Sequence, residues 1–120
     1  MTTTHDPQLL KGVLTLLLLR LLAEHESYGY EVVQRLRGVG LSGIAEGTVY
    51  PALARLEREG RITARLVPSS SGPARKYYRP TPVGHAALAA GTADWRALAG
   101  LVDAVLTGPT PSTPTGGTSR

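Results

Sequence analysis

Two stretches of this chain carry residue types suited to handling a polyanion. The first is Glu46-Gly47-Thr48-Val49-Tyr50-Pro51-Ala52-Leu53-Ala54-Arg55-Leu56-Glu57-Arg58-Glu59-Gly60; the second is the basic run Arg75-Lys76-Tyr77-Tyr78-Arg79. At about 100° per residue, Ala45, Val49, Ala52, Leu53 and Leu56 gather on one face of a helix and must form its core side. Gly47, Pro51, Ala54 and Arg58 then point away, with Tyr50 on one flank and Thr48 and Arg55 on the other. Small residues flanked by hydroxyls and a guanidinium allow close approach to base edges and phosphates. Arg55 suits a phosphate or a guanine edge equally. Gly60 is placed to stop the helix as a cap residue. Pro51 has no N–H to give, so the helix either begins only a turn earlier or bends there.

Charge singles out the same region. Residues 55–79 hold seven cationic side chains against two carboxylates, a local +5 in a chain whose formal net charge is +4. A concentration of this kind is the electrostatic footprint of a polyanion binder.

The surrounding elements follow from periodicity. Gln8 to about Glu24 is leucine-rich nearly all round, which predicts a single helix buried on two sides, by this domain's core and by a second copy of the chain. Ser27 fits the N-cap of a second helix, Tyr28 to about Arg37, with Tyr30, Val33 and Leu36 inward. The connector Gly38-Val39-Gly40-Leu41-Ser42-Gly43 spells a dinucleotide-binding fingerprint. It follows a helix instead of a strand, and Thr63 stands where an acidic residue is needed, so it reads as a turn. Ile62, Ala64 and Leu66 alternate with Thr63, Arg65 and Val67 as in a half-buried strand, and residues 68–73 make a hairpin tip. In the returning strand Lys76 and Tyr78 share one side, so burying Tyr78 requires a twist or a snorkelling lysine. A short helix feeding a basic hairpin is the layout of a winged helix-turn-helix, in which the helix enters the major groove and the hairpin lies on phosphates.

Thr81-Pro82 reads as an N-cap and first helical residue. The last helix, Pro82 to about Leu106, carries Leu88, Gly91, Trp95, Leu98, Val102 and Val105 at alternating steps of three and four, a seam for helix pairing that Gly91 and Gly100 weaken. The expected organisation is a polar, frayed start over residues 1–7, a winged-helix domain over 8–80, a dimerisation helix over 81–106 and a disordered tail over 107–120.

Other functions lack their residues. The chain has no cysteine, and His5, His25 and His85 are scattered without a second ligand at metal spacing. No phosphate-binding loop, nucleophile elbow or carboxylate pair is present, so the reading is of no enzyme and no cofactor. Leu9–Leu22 is too short to span a membrane and is interrupted by Lys11 and Arg20, which points to a soluble, cytoplasmic protein.

The wording EGTVYPALARLEREG…RKYYRPTPVG resembles the PadR family of bacterial transcriptional regulators, and Tyr28-Gly29-Tyr30-Glu31-Val32 matches the family's second-helix wording. The likeness runs from about Leu9 to Leu106 and is to the small, short-tailed members. It implies a mainly helical fold: a three-helix core, a two-stranded wing and a C-terminal helix pairing with the partner's first and last helices. By resemblance, Gly47, Thr48, Tyr50, Pro51 and Arg55 belong to the recognition helix, and Arg75 and Lys76 to the wing. The family also implies a homodimer on double-stranded DNA with an inverted-repeat operator, and repression relieved by a small, often aromatic, ligand. Trp95 is open to two readings: a large residue of the dimer interface, or, with Leu10, Val13 and Leu17 as walls and Gly91 leaving room, the lining of an effector pocket. The rival to DNA binding is a winged-helix module that binds protein, which should not concentrate positive charge on helix and wing together.

Overall fold

A computed structural model describes residues 6–109. Its elements are α1 (Pro7–Lys11), α2 (Leu14–Glu24), β1 (Ser27–Tyr28), α3 (Gly29–Gly38), α4 (Glu46–Arg58), β2 (Ile62–Ser69), β3 (Gly72–Pro80) and α5 (Pro82–Leu106). The strands form an antiparallel sheet in the order β1-β3-β2. One core holds the domain together: Leu18, Leu19 and Leu22 of α2, Val32, Val33 and Leu36 of α3, Val49, Leu53 and Leu56 of α4, and Ile62 of β2 are all buried.

The leucine-rich N-terminal segment is two helices where one was expected. Gly12 and Val13 break it, and the Val13 N–H bonds back to the Leu10 carbonyl at 3.0 Å in a tight turn. Gly12 has no side chain to favour helix over turn there. Asp6 and Pro7, expected at the end of a frayed start, cap and open α1, with the Asp6 carboxylate accepting the Gln8 N–H at 2.8 Å. The rest of that expectation, on residues 1–5, and most of the expected tail, residues 110–120, lie outside the described residues.

Ser27 is not an N-cap. It is fully buried in β1, a strand periodicity did not reveal, and its hydroxyl accepts from Arg35 Nη1 at 2.9 Å. The same nitrogen donates to the His25 carbonyl at 3.2 Å, so Arg35 pins β1 to the end of α2. α3 therefore starts at Gly29, and its inward face is Val32, Val33 and Leu36, while Tyr30, expected inward, is 42% exposed.

Glycines end α3 and α4 in the same way. Gly40 has φ +125°, and the Leu41 N–H reaches the Leu36 carbonyl at 3.1 Å; Gly60 has φ +75°, and the Arg61 N–H reaches the Leu56 carbonyl at 2.9 Å. Both are Schellman caps, in which a left-handed residue satisfies orphan helix carbonyls. The G-x-G-x-x-G spelling is thus a helix stop, as expected of a turn. Ala45 caps α4 and is exposed, so it leaves the core face assigned to it.

β2 and β3 pair from Ile62↔Pro80 to Ser69↔Gly72, with an irregularity between Val67 and Ser69. The tip is narrower than expected, since Pro68 and Pro73 lie within the strands. The alternation in β2 buries Ile62 and half-buries Ala64, but Leu66 is 68% exposed because the hairpin has by then left the core.

α5 begins at the cap the sequence marks. The Thr81 hydroxyl accepts from the Gly84 N–H at 3.0 Å and donates to the Gly60 carbonyl at 2.6 Å. Gly84 is the buried residue of α5, and a Cβ there would stand 1.9 Å from the Arg61 carbonyl oxygen. Only glycine lets the helix approach so closely. Further along, α5 crosses α2 at Gly91, whose Cβ position lies 2.9 Å from Leu16 Cδ1. Beyond that crossing Trp95, Leu98, Leu101, Val102, Val105 and Leu106 are exposed.

Candidate nucleic-acid interface

α4 is amphipathic in the phase that its spacing predicts. Val49, Leu53 and Leu56 face the core, and Gly47, Thr48, Pro51, Ala54, Arg55 and Arg58 are exposed. Pro51 is the sixth residue, so the helix starts a turn before it, and the N–H that proline lacks would have gone to the Gly47 carbonyl. A Cβ at Gly47 would meet nothing within 4 Å, which leaves the backbone of this turn open to a close neighbour.

The seven residues expected to handle nucleic acid fall into two groups. Thr48, Pro51 and Arg55 form one wall of a groove shared with Leu10 and Lys11 of α1. Tyr50, Arg75 and Lys76 surround a cleft of about 310 Å³ between the start of α3 and the base of the hairpin, together with Tyr28, Tyr30 and Tyr78. Gly47 lines neither.

Tyr50 is held on two sides. Its ring lies against Gly29, where a Cβ would be 2.9 Å from Tyr50 Cε1, and its hydroxyl donates to Glu46 Oε1 at 2.9 Å. Partial burial and the neighbouring Glu46 carboxylate push the phenol above its ordinary value, so it stays protonated as a donor. Tyr50 thus orients Glu46, one turn earlier on the same face.

Several of the cations counted in the sequence are paired in space. Arg55 Nε lies 3.0 Å from Glu59 Oε2 and Arg61 Nε 3.6 Å from Glu59 Oε1, and Arg55 with Arg61 holds the Glu59 carboxyl below the usual range. Arg65 forms a forked pair with Glu26, which lies outside the basic segment and is likewise held low, first by that hydrogen bond. Lys76 Nζ donates to Glu57 Oε1 at 3.0 Å and sits 5.4 Å from the Tyr78 ring centre, which raises the ammonium's pKa. This is the snorkelling the strand pattern required: the stem covers Tyr78 and the charge braces the hairpin against the end of α4. Among the described residues, Arg58, Arg75 and Arg79 have no carboxylate partner. Arg75 instead lies 4.5 Å over the Tyr28 ring, and Tyr28 packs edge-on against Tyr77. The sequence reading assigns Tyr28, Tyr30, Glu46 and Glu57 no part in the interface. Glu46 and Tyr50, four apart on one helix, was the signal available for one of them.

Trp95 is 47% exposed, and Val13 and Leu17 are half-buried. Leu10 faces the groove against α4, whose lining does not include Trp95. The room that Gly91 was expected to leave beside the indole is taken by Leu16. Among the described residues no group of histidines and carboxylates could hold a metal ion, and no helix is long and apolar enough to cross a membrane.

Three packed helices, a two-stranded wing joined by a short third strand, and a basic hairpin beside an exposed helix define a winged helix-turn-helix. Residues 18–90 match the transcriptional regulator PadR-like family, and the chain belongs to that family. It is similar to the transcriptional regulator Rv3488 of Mycobacterium tuberculosis, 42% identical over 88 residues covering 72% of this chain and 76% of that one. It is similar as well to the crystal structure of a PadR-like transcriptional regulator from Bacillus cereus, with TM-score 0.76 and 37% identity over 85% of this chain and 99% of that one. A PadR family regulator from Eggerthella lenta superposes with TM-score 0.78 at 34% identity, over 85% of this chain and 88% of that one. The chain is accordingly a winged-helix transcriptional regulator whose family binds DNA, and not an enzyme.

Proposed function

We propose that this chain is a homodimeric, cytoplasmic repressor that reads an inverted-repeat operator. The observation that carries the reading is the exposed polar face of α4 with a basic hairpin braced against its end: Thr48, Pro51, Arg55 and Arg58 stand exposed on the helix, Lys76 holds Glu57, and Arg75 on the wing has no carboxylate partner among the described residues. α4 enters the major groove with Gly47 giving close approach, Thr48 and Glu46 facing base edges, and Arg55 and Arg58 near phosphates. The wing lies along the backbone and positions the helix without reading sequence.

Dimerisation is supported by α5. Its apolar stripe from Trp95 onward has no cover among the described residues, and Val105 at its end is 71% exposed. An apolar face of this extent marks an interaction surface. The helix runs 25 residues, about 37 Å, long enough to lie across a second copy. The effector belongs to the same surface: a planar aromatic molecule stacks between Trp95 and its symmetry mate, with Val13 and Leu17 as apolar walls, and its binding releases DNA. Leu10, which also lines the groove against α4, is the third apolar wall.

The test is an electrophoretic shift with the upstream region of the chain's own gene over a salt series. If each subunit neutralises about three to five phosphates, log K against log salt slopes by about −5 to −9. A slope near zero, or no shift at low salt with any promoter fragment, overturns the reading. Tryptophan fluorescence titrated with flat aromatic compounds, beside Trp95→Ala, tests the effector. Saturable quenching with DNA release, lost in a variant that still dimerises, supports the pocket; a monomeric variant and no quenching leave Trp95 an interface residue.

A further inference from the structure

α4 opens on a carboxylate, the wrong charge to bring to a polyanion unless it has a task there. Glu46 is the first residue of the helix and is exposed. The other two carboxylates of α4 and its cap, Glu57 and Glu59, are held by Lys76 and by Arg55 with Arg61. Glu46 has no cation within ion-pairing distance among the described residues. Its Oε1 accepts from the Tyr50 hydroxyl at 2.9 Å, and its Oε2 has no donor among the described residues.

The start of α4 is fixed from both sides. Arg37 of α3 donates to the Ile44 carbonyl through Nε at 3.1 Å and Nη2 at 3.0 Å, which ties down the loop just before Glu46. Tyr50 is seated against Gly29, so the hydroxyl that holds Oε1 is itself held by the start of α3. An ionised carboxylate only accepts hydrogen bonds. On the major-groove edge guanine offers two acceptors, thymine an acceptor beside a methyl, and adenine a donor flanked by an acceptor. Cytosine alone offers a donor, its N4 amino group, with no acceptor beside it. With Oε1 committed to Tyr50, Oε2 is free for one such donor. At any other base the carboxylate meets a lone pair or a methyl and stays unpaired next to the phosphates, so it discriminates by repulsion as well as by attraction.

We propose that Glu46 selects a cytosine, through its N4 amino group, at one position of each half-site, and that Tyr50 is its positioning residue. The assignment rests on the DNA reading above and adds to it the identity of a base.

The full chain selects its half-site from double-stranded DNA with a randomised core, and every single-base replacement in that half-site is then measured by competition shift. Wild type should require cytosine at one position and lose about tenfold or more when C·G there becomes T·A. Glu46→Gln keeps an oxygen for the Tyr50 hydroxyl but adds an amide donor. It should lose the cytosine preference and favour adenine, whose N6 and N7 groups match an amide. Its affinity for unrelated DNA should rise, because a negative charge has left the interface. Tyr50→Phe should reduce the cytosine preference several-fold without moving it to another base. A Glu46 that merely favours the start of the helix predicts otherwise: Glu46→Gln would lower the melting temperature and weaken binding to all sequences alike.

A cytosine preference that survives Glu46→Gln overturns the assignment and leaves the DNA reading standing. So does a selected half-site with no cytosine requirement, or loss of operator and unrelated DNA by the same factor in Glu46→Gln. If wild type binds no DNA at low salt, the DNA reading fails and the assignment falls with it.

Discussion

The three glycines of α5 form a graded test of how this helix is held. A Cβ at Gly84 would stand 1.9 Å from the Arg61 carbonyl oxygen and 2.9 Å from its carbon. That carbonyl cannot yield alone, because it also accepts the Thr81 N–H at 3.0 Å, and Thr81 is tied in turn to Gly60. Gly84→Ala must therefore lift the start of α5 off the end of α4, at a cost of about 3 kcal/mol or more, the upper end of overpacking penalties. At Gly91 the nearest atom, at 2.9 Å, is the terminal Cδ1 of Leu16, which can change rotamer. Gly91→Ala should fall within about 1 kcal/mol of wild type, since the helix propensity gained offsets the side-chain shift. At Gly100 a Cβ meets nothing within 4 Å, so Gly100→Ala should stabilise by about 0.8 kcal/mol. Urea unfolding followed by circular dichroism, at one fixed protein concentration so that dimerisation does not enter the comparison, measures all three. Gly84→Ala with wild-type stability would refute the close approach of α5 to Arg61. Equal destabilisation at Gly84 and Gly100 would show that helix packing plays no part in the order.

Replacing Thr48 by Ala should abolish operator preference in competition shifts while leaving the melting temperature unchanged. Tyr50→Phe, which removes only the hydroxyl that orients Glu46, should relax sequence preference and change stability by no more than about 1 kcal/mol; unfolding by this substitution would mean that the hydroxyl supports the core. Arg75→Ala combined with Lys76→Ala should weaken binding to all sequences by a similar factor, with a shallower salt slope, because wing contacts carry no sequence information. The carboxyls of Glu26 and Glu59 are held below their ordinary value of 4.5 in the folded chain. Their contribution to stability is therefore present above that value and lost as pH falls through the folded values. A pH series of urea midpoints should decline on the acid side below about pH 4.5, and Glu26→Gln should flatten that decline.

The elements legible from sequence are those specified by local signals. The core face of α4 follows from the spacing of Val49, Leu53 and Leu56, its end from Gly60, and the start of α5 from Thr81 and Pro82. The illegible features depend on groups far apart in the chain or on a single residue of phase. β1 exists because Ser27 and Tyr28 pair with Tyr78 and Tyr77, some fifty positions on. The break at Gly12 and Val13 competes with a leucine pattern that continues unbroken through it. Once β1 claims Ser27, α3 starts later and Tyr30 turns outward. The site follows the same rule: Thr48, Pro51 and Arg55 were placed by helix phase, whereas the seat of Tyr50 on Gly29 and the pairing of Arg65 with Glu26 need the folded chain. A count of charges along residues 55–79 could not show that several of them neutralise one another, or that Arg75 rests on a tyrosine ring.

The most direct test of the central claim is a hydroxyl-radical footprint of the purified chain on the promoter of its own gene. A symmetric dimer that reads DNA through α4 predicts two protected segments related by an inverted repeat, with centres about 34 Å apart along the duplex. Alanine at Thr48 should erase both segments together. Protection of one isolated segment, or a footprint that spreads evenly without regard to sequence, would contradict the account.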